Sequence, residues 1–391
     1  MDPRFDLVVD RRHTMSLKYD TAKAHQKPED CLPLWVADMD FQTAPEILEA
    51  LQKRVAHGIF GYSETTGEYE QAVIQWWKKH YQFSIDPAWI KQTPSIVFSI
   101  ATAIRAFTLP GDYVLVQQPV YHPFRKMIEA NGRVLLSNDL ILKNGSCAMD
   151  LEDLEAKIRI HHVKLFLLCN PHNPMGRVWT KEELRQVGEI CKRYGVIVLS
   201  DEIHCDFVWP GHTHTMLLQA MPELANQVIT CVSPSKTFNL AGLQAANNII
   251  VDPFLRERFW TERLRSGYDE QNVMGLVAAQ AAYEQGEEWF QDMKAYVYEN
   301  LCFFQRELER RMPVVKLAMP EATYLLWLDF RDTSLSAHQI NRKLLTEAKL
   351  WLNDGRMFGP GGEGFFRLNA ACPRSILEEA LRRLESVFGT K

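Results

Sequence analysis

The residues with the most evident chemistry in this sequence lie in three short polar clusters, each after an apolar run typical of a strand. The clusters, with the runs before them, are Asn170-Pro-His-Asn-Pro174 after Val163–Cys169, Asp201-Glu-Ile-His204 after Val196–Ser200, and Ser233-Pro-Ser-Lys236 after Val228–Val232. In open α/β sheets, ligands bind beyond the carboxyl ends of the strands. We therefore expect the three clusters to share one site.

Lys236 is the candidate catalytic residue. A lysine amine becomes nucleophilic at neutral pH when desolvation or a nearby cation lowers its pKa. Asp201 can pair with a protonated pyridine nitrogen and keep that ring able to accept electrons from a substrate carbanion. A lysine, a carboxylate and an amide therefore suit pyridoxal phosphate held as a Schiff base. Taken alone, Lys236 is better explained as an ordinary solvated lysine, and Asp201 is equally well explained as a cap of the next helix.

Further polar and aromatic residues can surround the same cofactor. Asn173 can donate its amide to the phenolate oxygen of the ring, and His204 can approach the same edge. Ser233 and Ser235 flank the lysine, and small hydroxyl residues at a strand-to-helix turn can bind phosphate. Tyr121 follows another strand end and can stack on the ring, although a buried core tyrosine is an equal alternative.

Two features outside these clusters indicate binding sites for anions. Thr93-Pro-Ser-Ile-Val-Phe-Ser99 precedes the helical stretch Ile100–Phe107, and free amides at a helix N-terminus can hold a phosphate. Arg367 lies inside the apolar strand Phe365–Asn369, where a buried guanidinium favours a bidentate carboxylate partner. An amino-acid substrate would supply that carboxylate, and an internal salt bridge is the alternative.

Composition excludes several classes of function. The 391 residues carry a net charge of -5 and no basic tract, so we expect no nucleic-acid partner. No apolar run approaches the ~20 residues of a membrane helix, and the first residues lack the apolar core of a signal peptide. The eight cysteines are scattered without a CxxC pair, which favours reduced thiols in the cytoplasm. We predict no metal site, and we expect His212 and His214 to lie in solvated loops.

The order of elements predicts an α/β fold with a second, smaller domain. From about residue 93 to 251, apolar strands alternate with helices, which indicates a mostly parallel sheet covered on both faces. The clearest predicted strands are Tyr113–Val116, Val163–Cys169, Val196–Ser200, Val228–Val232 and Asn248–Val251. We predict an N-terminal segment (1–45) that packs with the small domain, a large cofactor-binding domain (46–286) and a small C-terminal α+β domain (287–391). A long amphipathic helix ending near Pro313 would connect the last two.

Four capping-box patterns predict helix starts. A hydroxyl residue three positions before Glu or Gln places a side-chain acceptor at the N-cap and a second one on the third residue of the helix. The four patterns are Thr43-Ala-Pro-Glu46, Thr180-Lys-Glu-Glu183, Ser336-Ala-His-Gln339 and Ser375-Ile-Leu-Glu378.

The order of these motifs resembles that of the fold-type I pyridoxal-phosphate enzymes of the aminotransferase class I/II superfamily. Three further stretches are similar to the carbon–sulfur lyases of the MalY/PatB type, which are cystathionine β-lyases. These stretches are Leu34-Trp-Val-Ala-Asp-Met-Asp-Phe41, Gly58-Ile-Phe-Gly-Tyr62 and Arg367-Leu-Asn-Ala-Ala-Cys-Pro373. The resemblance extends over nearly the whole chain.

The resemblance implies a role for each matching residue. Lys236 would bind the cofactor and act as acid and base, while Arg367 would hold the substrate carboxylate. The other implied contacts are Asp201 with the pyridine nitrogen, Asn173 with the ring oxygen, His204 where many relatives place a tyrosine, Tyr121 on the ring face, and Ser95, Ile96, Ser233 and Ser235 around the phosphate. Family members are homodimers with shared active sites, so Tyr62 would reach the phosphate region of the neighbouring subunit. Trp35, Asn173 and Tyr62 would also contact the substrate.

One departure bears on the type of reaction. Many aminotransferases of the superfamily carry a phosphate-binding arginine eight residues after the lysine, where this sequence has Gln244. The lyase subfamily tends to lack that arginine, so the sequence favours β-elimination from sulfur amino acids, such as cystathionine to homocysteine, pyruvate and ammonia, or cysteine to sulfide. An aminotransferase remains the first alternative. A regulatory protein that binds a transcription factor and keeps residual lyase activity is the second.

Overall fold

A computed structural model describes residues 2–143 and 146–389 of the chain. Its α-helices are α1 (Pro45–His57), α2 (Gly67–Tyr81), α3 (Ile96–Phe107), α4 (Pro123–Ala130), α5 (Leu151–His161), α6 (Lys181–Tyr194), α7 (Leu217–Ala220), α8 (Pro234–Thr237), α9 (Pro253–Arg265), α10 (Val273–Gln285), α11 (Glu287–Arg311), α12 (Ala337–Thr346) and α13 (Arg374–Phe388). Its strands are β1 (Leu32–Pro33), β2 (Ile90–Thr93), β3 (Tyr113–Val116), β4 (Val134–Ser137), β5 (Ile141–Lys143), β6 (Ser146–Ala148), β7 (Leu165–Cys169), β8 (Ile197–Asp201), β9 (Val228–Val232), β10 (Ala246–Ile249), β11 (Leu325–Asp329), β12 (Leu350–Trp351), β13 (Asn353–Asp354) and β14 (Phe365–Asn369).

The main sheet has seven strands in the order β2-β10-β9-β8-β7-β3-β4. β10 is antiparallel to both of its neighbours, and the other pairs are parallel. Alternate residues of β7 enter two different cores. Phe166 and Leu168 pack with residues of α5, α6 and α7, whereas Leu165 and Leu167 pack with residues of α3, α4 and α9. The predicted mostly parallel sheet with helices on both faces is therefore confirmed.

A smaller antiparallel sheet, β11-β14-β13, positions Arg367 on its middle strand. The N-terminal segment joins this part of the chain, because β1 pairs in parallel with β12 and the Asn369 amide donates to the carbonyls of Val36 and Asp38. α11 covers most of the predicted long amphipathic helix and ends just before Pro313. The domain boundaries at 45 and 286 stay predictions.

Most observed strands begin and end within two residues of the predicted positions. β3 and β9 match their predictions, while β8 runs one residue further than expected and includes Asp201. β10 begins and ends two residues earlier than the predicted Asn248–Val251. Within the described residues, no helix is long and apolar enough to cross a membrane.

Two of the four predicted capping boxes form. Thr180 accepts a hydrogen bond from the Glu183 amide of α6, and Ser336 accepts one from the Gln339 amide of α12. The side chains of Glu183 and Gln339 in turn accept from the backbone of the two capping residues. The other two predictions were wrong. α1 begins after Ala44, and the Thr43 hydroxyl donates instead to the Phe238 carbonyl at 2.7 Å. Ser375 lies inside the first turn of α13, whose N-cap is Pro373.

The contrast between Thr180 and Ser375 predicts different effects on stability. Thr180→Ala removes the acceptor for the Glu183 amide, at 3.2 Å, and should lower the free energy of unfolding by about 1 kcal/mol. Ser375→Ala, at an exposed helical position, should change it by no more than a few tenths of a kcal/mol. Urea unfolding of the two variants measures both values, and equal losses would contradict the observed caps.

Candidate active site

The register of the main sheet brings the three polar clusters together. Cys169 at the end of β7 lies opposite Asp201 on β8, and Asp201 lies opposite Cys231 on β9. The residues at and after the ends of these strands therefore line one cleft. Nine of the predicted cofactor-binding residues line it: Ser95, Ile96, Tyr121, Asn173, Asp201, His204, Ser233, Ser235 and Lys236.

Lys236 occupies the short helix α8, which Ser233 caps by accepting a hydrogen bond from the Ser235 amide. Its Nζ donates to the Ala37 carbonyl at 2.7 Å, a contact between residues 199 positions apart. Although part of Lys236 is accessible from the cleft, desolvation of the ammonium lowers its pKa to about 8, against the opposing effect of Asp38. A fraction of the amine is therefore neutral near physiological pH.

Asp201 is the buried carboxyl group of the cleft. It is 3% exposed, and its Oδ1 accepts one backbone hydrogen bond, from Ile203 at 3.2 Å. Desolvation raises the pKa of Asp201 to about 7, although the Ile203 amide and Lys236 oppose that rise. A cation beside this carboxyl group would relieve the cost of its ionised form.

His204 is also buried, and its Nδ1 has no hydrogen-bond partner among the described residues. Desolvation, with Lys236 and Arg367 nearby, lowers the pKa of His204 well below its ordinary value. The imidazole is therefore neutral at pH 7 and can offer a hydrogen bond to a ligand in the cleft.

Arg367 is a buried guanidinium that forms no ion pair with any described residue. Its nitrogens donate to the side-chain oxygens of Asn173 (2.9 Å) and Asn353 (2.6 Å) and to the Trp35 carbonyl (3.0 Å). Nε has no partner among the described residues, and desolvation lowers the pKa of Arg367 to about 10. The internal salt bridge considered from the sequence is absent there, so the site has an unmet positive charge that suits a carboxylate.

The N-terminus of α3 forms the other end of the cleft. Ser95 caps this helix by accepting a hydrogen bond from the Phe98 amide at 3.2 Å. The amides of the first turn have no acceptors within the helix, and Ile96 and Val97 line the cleft. Gln244 lies at the same end with a φ of 57°. The arrangement suits a phosphate held by backbone amides and hydroxyl groups.

Two predicted substrate residues lie outside the cleft. Tyr62 is 93% exposed and lies in a separate surface cleft with Trp260 and Arg263. The Trp35 ring stacks on Trp351 with centroids 4.3 Å apart, and only its carbonyl contacts Arg367. The predicted contacts of both side chains with a substrate stay predictions.

Sequence reasoning missed two buried groups that support the site. The Glu202 carboxylate accepts hydrogen bonds from Ser200 and the Leu217 amide and contacts His214 Nε2 at 2.8 Å. His214 is therefore buried, and its predicted solvated position was wrong because the carboxylate of Glu202, directly after β8, meets it. Asp206 accepts a hydrogen bond from Thr237, the neighbour of Lys236, at 2.5 Å. The available signals were the second acidic residue directly after Asp201 and, for Asp206, an acidic residue before the apolar run Phe207–Trp209.

The raised pKa of Asp201 predicts how stability depends on pH. Its folded pKa of about 7 exceeds the ordinary aspartate value of 3.8, so the folded protein binds more protons between these values. In cofactor-free protein, this contribution is complete below about pH 4 and is lost as the pH rises through about 7. Between pH 5 and pH 8, the free energy of unfolding measured in urea should fall less in Asp201→Asn than in the wild type. The difference should be up to about 1.4 kcal/mol per pH unit.

Asp10→Asn is the matched control, because its side chain is 73% exposed. It should keep the full pH-dependent loss of the wild type. An unchanged loss in Asp201→Asn would mean that another group carries it.

Comparison with known proteins places these residues in a family. A model of aminotransferase class I and II matches residues 29–384. The cystathionine beta-lyase PatB of Bacillus subtilis is 42% identical, over 98% of this chain and 99% of its own. The protein MalY of Escherichia coli is 34% identical, over 97% of each chain. Cystalysin from Treponema denticola, whose crystal structure contains pyridoxal 5′-phosphate, superposes with a TM-score of 0.95 at 34% identity, over 99% of each chain. This chain belongs to the aminotransferase class I and II family.

Proposed function

We propose that this protein is a pyridoxal-phosphate-dependent carbon–sulfur lyase that eliminates a thiol from L-cystathionine and related cysteine thioethers. The observation that carries the proposal is the cleft lined by Lys236 and Asp201, with the Arg367 guanidinium beside it, which forms no ion pair with a described residue. The relatives named as cystathionine beta-lyases support elimination as the reaction. The products would be homocysteine, pyruvate and ammonia.

The residues of the cleft fit pyridoxal phosphate. A buried carboxyl group with a single backbone donor suits a protonated pyridine nitrogen, and His204 has an unpartnered ring nitrogen. The Asn173 side-chain oxygen accepts from Arg367, which leaves its amide nitrogen as a donor for the ring oxygen. Ser95, the first turn of α3, Ser233 and Ser235 would hold the phosphate, and Tyr121 would face the ring.

Arg367 would bind the α-carboxylate of the substrate. Its Nη1 and Nη2 already contact Asn173 and Asn353, which fix the plane of the guanidinium. A carboxylate docked on this plane gains charge-assisted hydrogen bonds in a desolvated site. The Cα of the substrate would then lie between Arg367 and Lys236, with its orientation set before any bond breaks.

Lys236 would take the Cα proton at Nζ. Its lowered pKa makes a share of the amine available as a base, and the Ala37 carbonyl orients the amine at 2.7 Å. When bound, pyridoxal phosphate supplies the aldehyde that binds amines and a ring that stabilises negative charge at Cα. The Cβ–S bond breaks with both electrons leaving on sulfur, and Lys236 can return its proton to the thiolate. Water converts the remaining three-carbon fragment to pyruvate and ammonia.

A second copy of the chain would complete the site. Tyr62 and its neighbours Ile59 and Phe60 are large side chains exposed by 93%, 67% and 56%. Exposed apolar residues grouped in this way favour a protein–protein contact. We infer a homodimer in which Tyr62 supplies a hydroxyl group near the phosphate of the neighbouring subunit, where Gln244 provides no charge.

We also infer a cytoplasmic enzyme. The structure shows eight free cysteines, seven of them buried. Buried free thiols suit a reducing compartment, where disulfides do not persist.

Replacement of Lys236 tests the reaction directly. Lys236→Ala should abolish the visible absorption of lysine-bound cofactor and lower pyruvate release from L-cystathionine at least about 100-fold. Lys157→Ala, which changes a lysine on α5, is the control and should keep both properties. The wild type should release pyruvate without any added 2-oxo acid. A requirement for a 2-oxo acid would make the protein an aminotransferase instead.

Mixed dimers test the shared site. Lys236→Ala and Tyr62→Ala homodimers should each have low activity, because every site contains one lesion. Co-expression of the two chains should restore about a quarter of wild-type activity, since half of the dimers would be mixed and each would contain one intact site. Failure to recover activity, with mixed dimers verified by two affinity tags, would contradict a contribution of Tyr62 across the interface.

A further inference from the structure

A second cavity opens on the other side of Lys236. Its walls come from the N-terminal residues 9–17, from residues 36–42 and from the segment after Lys236. Lys236 and Ala241 line both this cavity and the cofactor cleft, so the two spaces meet at the reacting amine.

Asp38 and Asp40 line this cavity and belong to an outer and an inner ion pair, and the buried Lys18 of the inner pair is not among the lining residues. Lys18 and Asp40 are buried and lie 2.7 Å apart, so they form the inner pair. Arg11 and Asp38 form the outer pair, with a shortest contact of 2.6 Å and side chains 22% and 18% exposed. Arg11 also contacts Asp40. The cavity therefore presents one accessible cation and one accessible anion near Lys236.

The backbone of residues 35–38 places the contacts to Arg367, to Lys236 and to the second cavity in that order along the chain. The Trp35 carbonyl accepts from Arg367, the Ala37 carbonyl accepts from Lys236, and Asp38 lines the second cavity. Three residues of chain span at most about 10 Å. A substrate with its α-carboxylate on Arg367 and its Cα at Lys236 would extend its β-substituent toward Arg11 and Asp38.

We infer that the Arg11–Asp38 pair is the subsite for the distal, zwitterionic end of the leaving thiol, with Asp38 binding its ammonium group and Arg11 binding its carboxylate. The inference rests on the proposed lyase function and assigns its substrate class, thioethers with an amino-acid group at each end. The ammonium group of such a ligand can take the place of Arg11 beside Asp38, and its carboxylate can take the place of Asp38 beside Arg11. Neither side chain is then left without an opposite charge. A neutral alkyl end gains no such contact.

Three cysteine thioethers test the two charges separately: S-(2-carboxyethyl)-L-cysteine, S-(2-aminoethyl)-L-cysteine and the uncharged S-propyl-L-cysteine. The measured quantity is kcat/KM for pyruvate release by the holoenzyme, expressed as the ratio of each charged substrate to the uncharged one. This ratio cancels effects on chemistry common to all three, such as an altered electrostatic effect on Lys236.

The two variants should change opposite ratios. Arg11→Gln should lower the ratio for the carboxyethyl substrate about tenfold and raise that for the aminoethyl substrate, because Asp38 loses its nearer cation and keeps only Lys18 at 3.9 Å. Asp38→Asn should lower the aminoethyl ratio about tenfold and raise the carboxyethyl ratio. Arg12→Gln removes the same charge from an exposed pair with Asp10 on the same segment and should change neither ratio.

Ratios that stay unchanged, or that fall together in both variants, would overturn the subsite while pyruvate release from S-propyl-L-cysteine still supports the lyase. No pyruvate from any thioether with wild-type enzyme would overturn both. If a variant does not fold, the wild type decides, because it should prefer L-cystathionine to S-propyl-L-cysteine by about tenfold or more. A preference below about threefold would contradict the inference.

Discussion

The hydrogen-bonded register of β7, β8 and β9 is the constraint on which the rest of the site depends. Because Cys169, Asp201 and Cys231 lie side by side, the chain leaves three neighbouring strands at the same edge of the sheet. A slip of one residue would turn Asp201 toward the opposite face. The two cores on either side of the sheet prevent that slip, since alternate residues of β7 fill each of them.

The site keeps charges that the folded chain does not neutralise. Among the described residues, the Asp201 carboxyl group has one backbone donor, the Arg367 guanidinium has only neutral acceptors, and the Lys236 ammonium is desolvated. Each arrangement costs stability in the empty protein, because a buried charge without a counterion is unfavourable. In the proposed function, a cofactor with a cationic ring and a substrate with a carboxylate would supply the missing partners. The burial that shifts these pKa values would then also favour an amino acid as the substrate.

The N-terminal segment connects the two halves of the site. It pairs with the C-terminal part through β1 and β12, and it supplies the carbonyls that orient Arg367 and Lys236. Arg11 and Lys18 then hold Asp38 and Asp40 against this segment. The Arg367 guanidinium, the Lys236 amine and the wall of the second cavity thus all contact a single stretch of backbone, so changes in its position affect all three.

The residue types at the strand ends, the alternation of strands and helices, and the cofactor class could be predicted from the sequence, because these patterns are local along the chain. The Lys236, Asp201 and Asn173 clusters could be predicted for this reason. Three further features became evident in the folded chain: Arg367 has no carboxylate partner among the described residues, Lys236 donates to the Ala37 carbonyl, and the Glu202 carboxylate contacts the buried His214. Thr43 and Ser375 match a capping pattern, but neither side chain caps its helix. The Thr43 hydroxyl donates to the Phe238 carbonyl instead, and α13 begins after Pro373, so Ser375 lies inside its first turn. Contacts between distant segments depend on packing, which residue spacing along the chain does not encode.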